Sequence, residues 1–185
     1  MNAIARVILL NGVGSAGKSS IAKALQAITV EPFLHISMDT FLEMLPEKYS
    51  NHPDTFTYRI DSEDGKPNVV IETGPIGERL MRGMRRAIAE LARQGNNLII
   101  DEVMLAGERA DYDQLMSGFS FFVVGVFAPL DVLEERERRR GDRMIGLARW
   151  QYDRVHAGVT YDLQVDTSKL SPMECASRIK AELGL

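Results

Sequence analysis

The residues best suited to do chemistry lie near the start of the chain, where residues 12–19 fit the pattern G-x-x-x-x-G-K-[ST]. Glycines in such a loop let successive backbone N–H groups converge on phosphate oxygens, and the following helix contributes its positive end. Lys18 supplies an ammonium group and Ser19 a hydroxyl, which suit a nucleoside triphosphate with Mg²⁺. The pattern therefore predicts a loop that binds ATP and Mg²⁺. The residues assigned to it are Gly12, Val13, Gly14, Ser15, Ala16, Gly17, Lys18, Ser19 and Ser20.

The glycines of this loop also satisfy G-x-G-x-x-G, and Asp39 lies about where a dinucleotide-binding fold places its ribose-binding acid. A dinucleotide site has no use for an ammonium group and a hydroxyl directly after the third glycine. Lys18 and Ser19 therefore favour the triphosphate interpretation. A glycine-rich turn without a ligand would explain the glycines but not these two residues.

An acidic pair, Asp101-Glu102, ends the apolar stretch that begins at residue 97. If this stretch is a strand beside the loop, Asp101 lies where it can hold Mg²⁺ together with Ser19, directly or through water. The alternative is an acid that only caps the following turn. The phosphate loop upstream favours the metal role for Asp101, and Glu102 is a weaker candidate.

Asp39 follows a second short apolar stretch, residues 33–37, and is expected at the carboxyl end of a strand. A carboxylate there could accept the proton of an attacking hydroxyl and align its oxygen on the γ-phosphoryl group. Asp39 could instead be the N-cap of a helix that begins at Thr40. The two roles can coexist, and the sequence leaves both open.

Three arginines, Arg136, Arg140 and Arg143, are spaced so that they share one face if the helix continues. In a segment of about residues 134–145, they could close over a triphosphate as a lid, neutralise charge and exclude water. The alternative is a solvated charged face, since glutamates are interleaved with the arginines. The candidates for catalysis are Lys18, Asp39, Arg136 and Arg140, and all three arginines are candidates for binding the nucleotide.

Continuous apolar stretches predict strands that are buried on both faces, and shorter ones add a fourth and a fifth. These stretches are residues 4–10, 33–37, 98–100, 121–127 and 163–166. Helical patterns alternate with them at about residues 18–28, 77–93, 130–140, 145–156 and 172–183. Ser171 and Glu174 predict a capping box for the last helix. The alternation predicts an α/β fold with an open, five-stranded parallel sheet, helices on both faces and a crevice at the strands' carboxyl ends.

Residues 47–74 interrupt this alternation. They hold the turn signal Glu63-Asp64-Gly65 between two strand-like stretches, residues 56–60 and 69–71, and predict an inserted hairpin or loop. The chain contains no linker-like composition, so we expect residues 1–185 to form one domain.

Composition limits the possible partners. A net charge of −4 over 185 residues argues against nucleic acid as a partner. No apolar run reaches membrane-spanning length and no leader pattern is present, so we expect no membrane association and a cytoplasmic location. The only cysteine, Cys175, excludes an internal disulfide and is expected in the core. The oligomeric state cannot be predicted.

Several strings of this sequence together resemble the chloramphenicol phosphotransferase-like proteins, over nearly the whole length outside residues 47–74. In the N-terminal half these are residues 8–12, 15–19, 38–40, 44–46 and 99–103. In the C-terminal half they are residues 135–137, 140–143, 155–159, 161–162 and 165–167. The resemblance implies a P-loop kinase fold that uses ATP and Mg²⁺ to phosphorylate the primary hydroxyl of chloramphenicol.

The resemblance also implies roles for single residues. Asp39 matches the family's proposed catalytic base, and the arginines of residues 136–143 match a segment near the nucleotide phosphates. Glu102 departs from the family pattern because it replaces the second aspartate of an acidic pair. The unmatched residues 47–74 are expected to border the acceptor pocket, so the resemblance supports the reaction better than the natural acceptor.

Two other functions remain open on the sequence. A metabolite kinase of the nucleoside or shikimate type would share loop, lid and base but take another hydroxyl acceptor. The D-x-D pattern of shikimate-type kinases is absent after residues 33–37, and a nucleotide switch lacks the N-K-x-D and D-x-x-G motifs of GTPases. Candidates to line a small-molecule pocket are Phe41, Leu42, Met44 and Leu45.

Overall fold

The order of strands and helices follows the predicted alternation. We describe residues 4–105 and 107–185 of a computed structural model, apart from the side chain of Glu63. The strands are β1 (Arg6–Asn11), β2 (Phe33–Ser37), β3 (Phe56–Glu63), β4 (Lys66–Thr73), β5 (Asn97–Glu102), β6 (Ser120–Phe127) and β7 (Leu163–Asp166). The α-helices are α1 (Lys18–Ile28), α2 (Met38–Leu42), α3 (Pro75–Arg93), α4 (Glu108–Leu115), α5 (Leu130–Arg140), α6 (Leu147–Val155) and α7 (Pro172–Leu183). A 3₁₀ turn spans Glu47–Tyr49.

The central sheet is parallel and has the strand order β2-β5-β1-β6-β7. In β1, Val7 and Leu9 pack on one face of the sheet, and Ile8 and Leu10 pack on the other. All four side chains are fully buried, as their continuous apolar run predicts. One core includes residues of α1, α6 and α7, and the other includes residues of α3 and α4. The predicted fold class is confirmed.

Residues 47–74 contain an antiparallel hairpin of β3 and β4. Its two-residue turn is formed by Asp64 and Gly65, both with positive φ (51° and 72°), which favours this type of tight hairpin. β4 is attached to the start of α6, because the Val69 N–H donates to the Gly146 carbonyl at 3.0 Å. The hairpin therefore lies beside α6 instead of extending the central sheet.

Five of the ten predicted strands and helices have the observed bounds, and the other five differ by one or two residues at one or both ends. The strand and helix bounds at 18–28, 33–37, 130–140, 163–166 and 172–183 are confirmed. α7 has the predicted capping box between Ser171 and Glu174, and Cys175 is buried. α4 is absent from the predicted helices because it is too short to show a clear helical period, and α2 begins at Met38 instead of at Thr40. Among the described residues, every helix is too short or too polar to cross a bilayer.

Candidate active site

The end of β1 is fixed by a buried asparagine. The side chain of Asn11 donates to the Val155 carbonyl at 2.9 Å and to the Tyr161 hydroxyl at 2.8 Å, and accepts from the Met104 N–H at 2.9 Å. These bonds satisfy the amide, which is fully buried. The phosphate loop therefore starts from a rigid point in the sheet.

The loop backbone leaves no room for larger residues at one of its glycines. A Cβ atom at Gly12 would lie 2.5 Å from the Val126 carbonyl oxygen. Gly17 has a φ of 93°, which glycine adopts without strain. The side chains of Val13 and Ala16 are buried in the core, so only their backbone groups can serve a ligand.

Lys18 lies below the loop and is buried. Its Nζ donates to the carbonyls of Gly12 at 2.9 Å and Val13 at 3.1 Å, and lies 3.8 Å from Asp101 Oδ1. Burial lowers the pKa of Lys18, and the carboxylates of Asp101 and Asp39 oppose that shift. The ammonium group is therefore held under the loop by backbone oxygens.

Ser19 and Asp101 meet where the sequence predicts the metal site. The Ser19 hydroxyl donates to Asp101 Oδ2 at 2.5 Å. Burial would raise the pKa of Asp101, but its neighbours His35, Lys18 and Ser19 hold it below its usual value. The carboxylate therefore carries its charge at neutral pH. A hydroxyl and a carboxylate at this separation are oxygen ligands of the kind that Mg²⁺ takes.

Asp39 lies in the first turn of α2, after β2. The prediction that it could be an N-cap is wrong: Ser37 is the cap, and its Oγ accepts from the Asp39 N–H at 3.3 Å. The Asp39 carboxylate is free of this task because the shorter serine hydroxyl performs it. Its Oδ2 lies 2.5 Å from Arg143 Nη2.

The three arginines reach the site by different routes. Arg136 donates to the Thr167 hydroxyl and carbonyl, both at 2.8 Å. Arg140 pairs with Asp142 at 3.1 Å. Since α5 ends at Arg140 and Gly141 adopts a φ of 70°, Arg143 lies beyond the helix, and the single helical face that a continuing helix would give does not form.

A cavity of about 580 Å³ brings the predicted residues together. Gly12, Val13 and Ala16 do not line it, and Gly12 and Val13 face Lys18 through their carbonyls. The predicted residues that do line it are Gly14, Ser15, Gly17, Lys18, Ser19, Ser20, Asp39, Asp101, Arg136, Arg140 and Arg143.

A second cavity of about 440 Å³ adjoins the first and shares with it lining residues such as Met38, Tyr58 and Gln151. Its wall includes Phe56 of the hairpin and Trp150 of α6. Of the pocket residues expected from the sequence, Leu42 lines both cavities, whereas Phe41, Met44 and Leu45 line neither. Phe41 packs against the hydrophobic core, and Met44 and Leu45 lie beyond the end of α2 at Leu42.

Glu102 lies beside Asp101 at the wall of the first cavity, and it belongs to a charged cluster that continues to the second cavity through Arg85, Glu108 and Asp111. It accepts a hydrogen bond from the Tyr112 hydroxyl and lies 3.9 Å from Arg85 Nη1. Burial raises the pKa of Glu102 to about 7, against the opposing effect of Tyr112. Arg85 also pairs with Glu108 at 3.0 Å and Asp111 at 3.2 Å. Nothing in the sequence pattern signals this cluster, because its members come from three separate elements.

A sequence model of the chloramphenicol phosphotransferase-like family matches residues 5–184. Two Mycobacterium tuberculosis proteins, of strains CDC 1551 / Oshkosh and H37Rv, are 33% identical over 180 residues and are named candidate O-phosphotransferases. The matched region covers 94% of this chain and 80% of each relative. The resemblance that the sequence strings predict is thereby confirmed.

Solved structures show the same fold at low identity. The APS kinase CysC of Mycobacterium tuberculosis, solved with AMPPNP and APS, is 17% identical with a TM-score of 0.67, over 98% of both chains. A tunicamycin resistance protein of Deinococcus radiodurans is 19% identical with a TM-score of 0.63, over 98% of this chain and 96% of that chain. This chain therefore has the fold that these proteins share.

Proposed function

The chain belongs to the chloramphenicol phosphotransferase-like family, and on that premise we propose that it moves the γ-phosphoryl group of ATP to a hydroxyl of a small molecule. The observation that carries the proposal is the shared cavity of Lys18 and Asp39. One is the cation of a triphosphate-binding loop, and the other is a carboxylate suited to act as a base. A protein that only binds nucleotide has no need for the second group.

The transfer needs one bond to form and one to break. The oxygen of the acceptor hydroxyl attacks the γ-phosphorus, the bond to the β,γ-bridging oxygen breaks, and ADP leaves. Asp39 takes the hydroxyl proton and aligns the attacking oxygen. Lys18 and the guanidinium groups of Arg136 and Arg140 stabilise the charge on the phosphoryl oxygens. Arg143, in contact with Asp39, places a positive charge beside the base.

Ser19 and Asp101 would hold Mg²⁺, since their oxygens are adjacent and the carboxylate is ionised. The bound ion would neutralise charge on the β- and γ-phosphates. Lys18 and the arginines bind the phosphates, and Asp39 orients the acceptor hydroxyl and takes its proton.

The second cavity is the proposed acceptor site, and its wall combines apolar side chains such as Phe56 and Trp150 with charged ones such as Glu78 and Arg82. Such a wall suits a partly apolar alcohol, and chloramphenicol is the named candidate. A metabolite kinase with a different hydroxyl acceptor is the second candidate. The hairpin bears on that alternative, because Phe56, Tyr58, Ile71 and Thr73 line the cavity and their side chains would set which acceptor fits.

A screen of hydroxylated compounds tests the proposal. The protein is incubated with ATP and Mg²⁺, with chloramphenicol and with a panel of other small alcohols, and products are analysed by mass spectrometry. We expect a product heavier by one phosphoryl group and ADP release that depends on the acceptor. Equal ADP release with and without every acceptor would contradict the proposal and favour a nucleotide-hydrolysing protein.

A further inference from the structure

Gln151 of α6 lies at the junction of the two cavities. Its side chain is among the few groups that line both of them, and the residue is only 4% exposed. A buried carboxamide costs free energy unless its oxygen and its NH₂ group find partners. The hydrogen-bond partners of the Gln151 carboxamide therefore matter for both cavities.

The oxygen of Gln151 holds the phosphate loop. Its Oε1 accepts the Gly14 N–H at 2.7 Å, although the two residues are 137 positions apart. A Cβ atom at position 14 would lie 3.1 Å from this oxygen, so glycine lets the carboxamide come close. Among the described residues, no hydrogen bond uses the NH₂ group of Gln151. The donor end thus remains available to a ligand.

The start of α6 is fixed by two neighbouring elements. The buried carboxylate of Glu137 in α5 accepts from the N–H groups of Gly146 and Ala148, both at 2.8 Å. The Gly146 carbonyl in turn accepts from Val69 of the hairpin. The start of α6, about one turn before Gln151, is therefore held from the arginine-bearing helix on one side and from the hairpin on the other.

Resting on the proposed function, we propose that Gln151 is a further residue of the transfer site, which fixes Gly14 through its oxygen and donates its NH₂ group to the γ-phosphoryl group. The carboxamide is neutral, so it orients the phosphoryl oxygens without adding charge. A donor fixed at this junction keeps the phosphoryl group in line with the acceptor hydroxyl.

Two variants separate the ends of the carboxamide. Gln151→Glu keeps an oxygen for the Gly14 N–H but has no donor, and Gln151→Met removes both ends without adding charge. Asp153→Asn, at an exposed position of the same helix, is the control. The measurements are kcat and KM with the acceptor that the screen finds fastest, and the affinity for ADP by calorimetry.

We expect kcat to fall at least about tenfold in both Gln151 variants, the effect of one lost transition-state donor. The affinity for ADP should fall much less than kcat, because ADP lacks the γ-phosphoryl group and senses only the lost Gly14 contact or the added charge. Asp153→Asn should behave as wild type.

The inference is overturned if Gln151→Met keeps the wild-type kcat, because a loss in Gln151→Glu alone would then come from its charge. It is also overturned if the affinity for ADP falls as much as kcat, because the residue would then only shape the loop. A wild-type protein that phosphorylates no alcohol would refute the proposed function, and this inference with it. If the wild type and both Gln151 variants transfer the phosphoryl group at equal rates, the inference is refuted and the proposed function stands.

Discussion

The phosphate loop and the arginine segment, residues 134–145, face the same cavity but are built differently. In the loop, the side chains of Lys18 and its partner Asp101 are each 7% exposed, and Lys18 is bonded to backbone carbonyls five and six residues away. In the arginine segment, Arg140 is 43% exposed and pairs with an even more exposed aspartate. The loop is a preformed site, whereas the arginine segment is held by side chains that can exchange partners. Nucleotide binding should therefore depend on the loop, and the transfer rate on both regions.

Lys18→Ala tests the role of the phosphate loop and should have the largest effect. Removing the buried ammonium group should lower kcat/KM at least about a thousandfold, because a charge aimed at the transferring group is lost. The fold should persist, because burial of the Lys18 ammonium group already costs free energy and alanine removes that cost. Steady-state kinetics and circular dichroism check both statements. Lys23→Ala on the exposed side of α1 is the control, and substantial activity in Lys18→Ala would refute the role of the loop.

Asp39→Asn tests the point where the two regions meet. Loss of the base should lower kcat about a hundredfold, while binding of an ATP analogue stays within a few-fold. Glu43→Gln, one turn further along the chain and exposed, should have no effect. If kcat in Asp39→Asn equals the wild-type value, Asp39 serves only to pair with Arg143.

The buried carboxyl group of Glu102 should make the stability of the protein depend on pH. The pKa of Glu102 is raised from 4.5 to about 7, so between these values the folded state binds a proton that the unfolded state has lost. Stability should therefore fall as pH rises through this window, by about 3 kcal/mol for an ideal shift of this size. Denaturant unfolding at pH 5 and pH 8 measures it. Glu102→Gln should remove most of this loss of stability between pH 5 and pH 8, and the control Glu43→Gln should remove none of it. An unchanged pH dependence in Glu102→Gln would show that Glu102 is ionised in the folded protein.

The smallest effect is expected in the arginine segment. Arg140→Ala should lower kcat about tenfold, because an exposed guanidinium contributes less than a buried ammonium group. Arg138→Ala, which removes an exposed arginine paired with Glu135, is the matched control. Equal activity in both variants would mean that Arg140 belongs to a solvated face, and a loss as large as that of Lys18→Ala would erase the contrast between the regions.

The sequence predicts the loop side well because its residues are neighbours along the chain. Residues 12–19 contain the bend, the cation and the hydroxyl, and the apolar stretches predict the strands that flank them. Asp101 follows from the same logic, since the carboxyl ends of parallel strands lie at one edge of the sheet. These are local patterns with a direct physical cause.

The rest of the site depends on contacts that are remote in sequence. Arg143 meets Asp39 across 104 positions, and Gln151 meets Gly14 across 137. No periodicity signals such pairs, because they are set by how α5, α6 and the hairpin pack. The Ser37 cap was missed for a different reason: either Ser37 or Asp39 suits an N-cap, and only the backbone decides between them.

A crystal structure with Mg²⁺ and a non-hydrolysable ATP analogue tests the central claim most directly. We predict that the phosphates lie in the loop, with Mg²⁺ on Ser19 and Asp101 and the γ-phosphate between Lys18 and Asp39, facing the second cavity. An empty loop, or a nucleotide whose γ-phosphate points away from Asp39, would contradict the account.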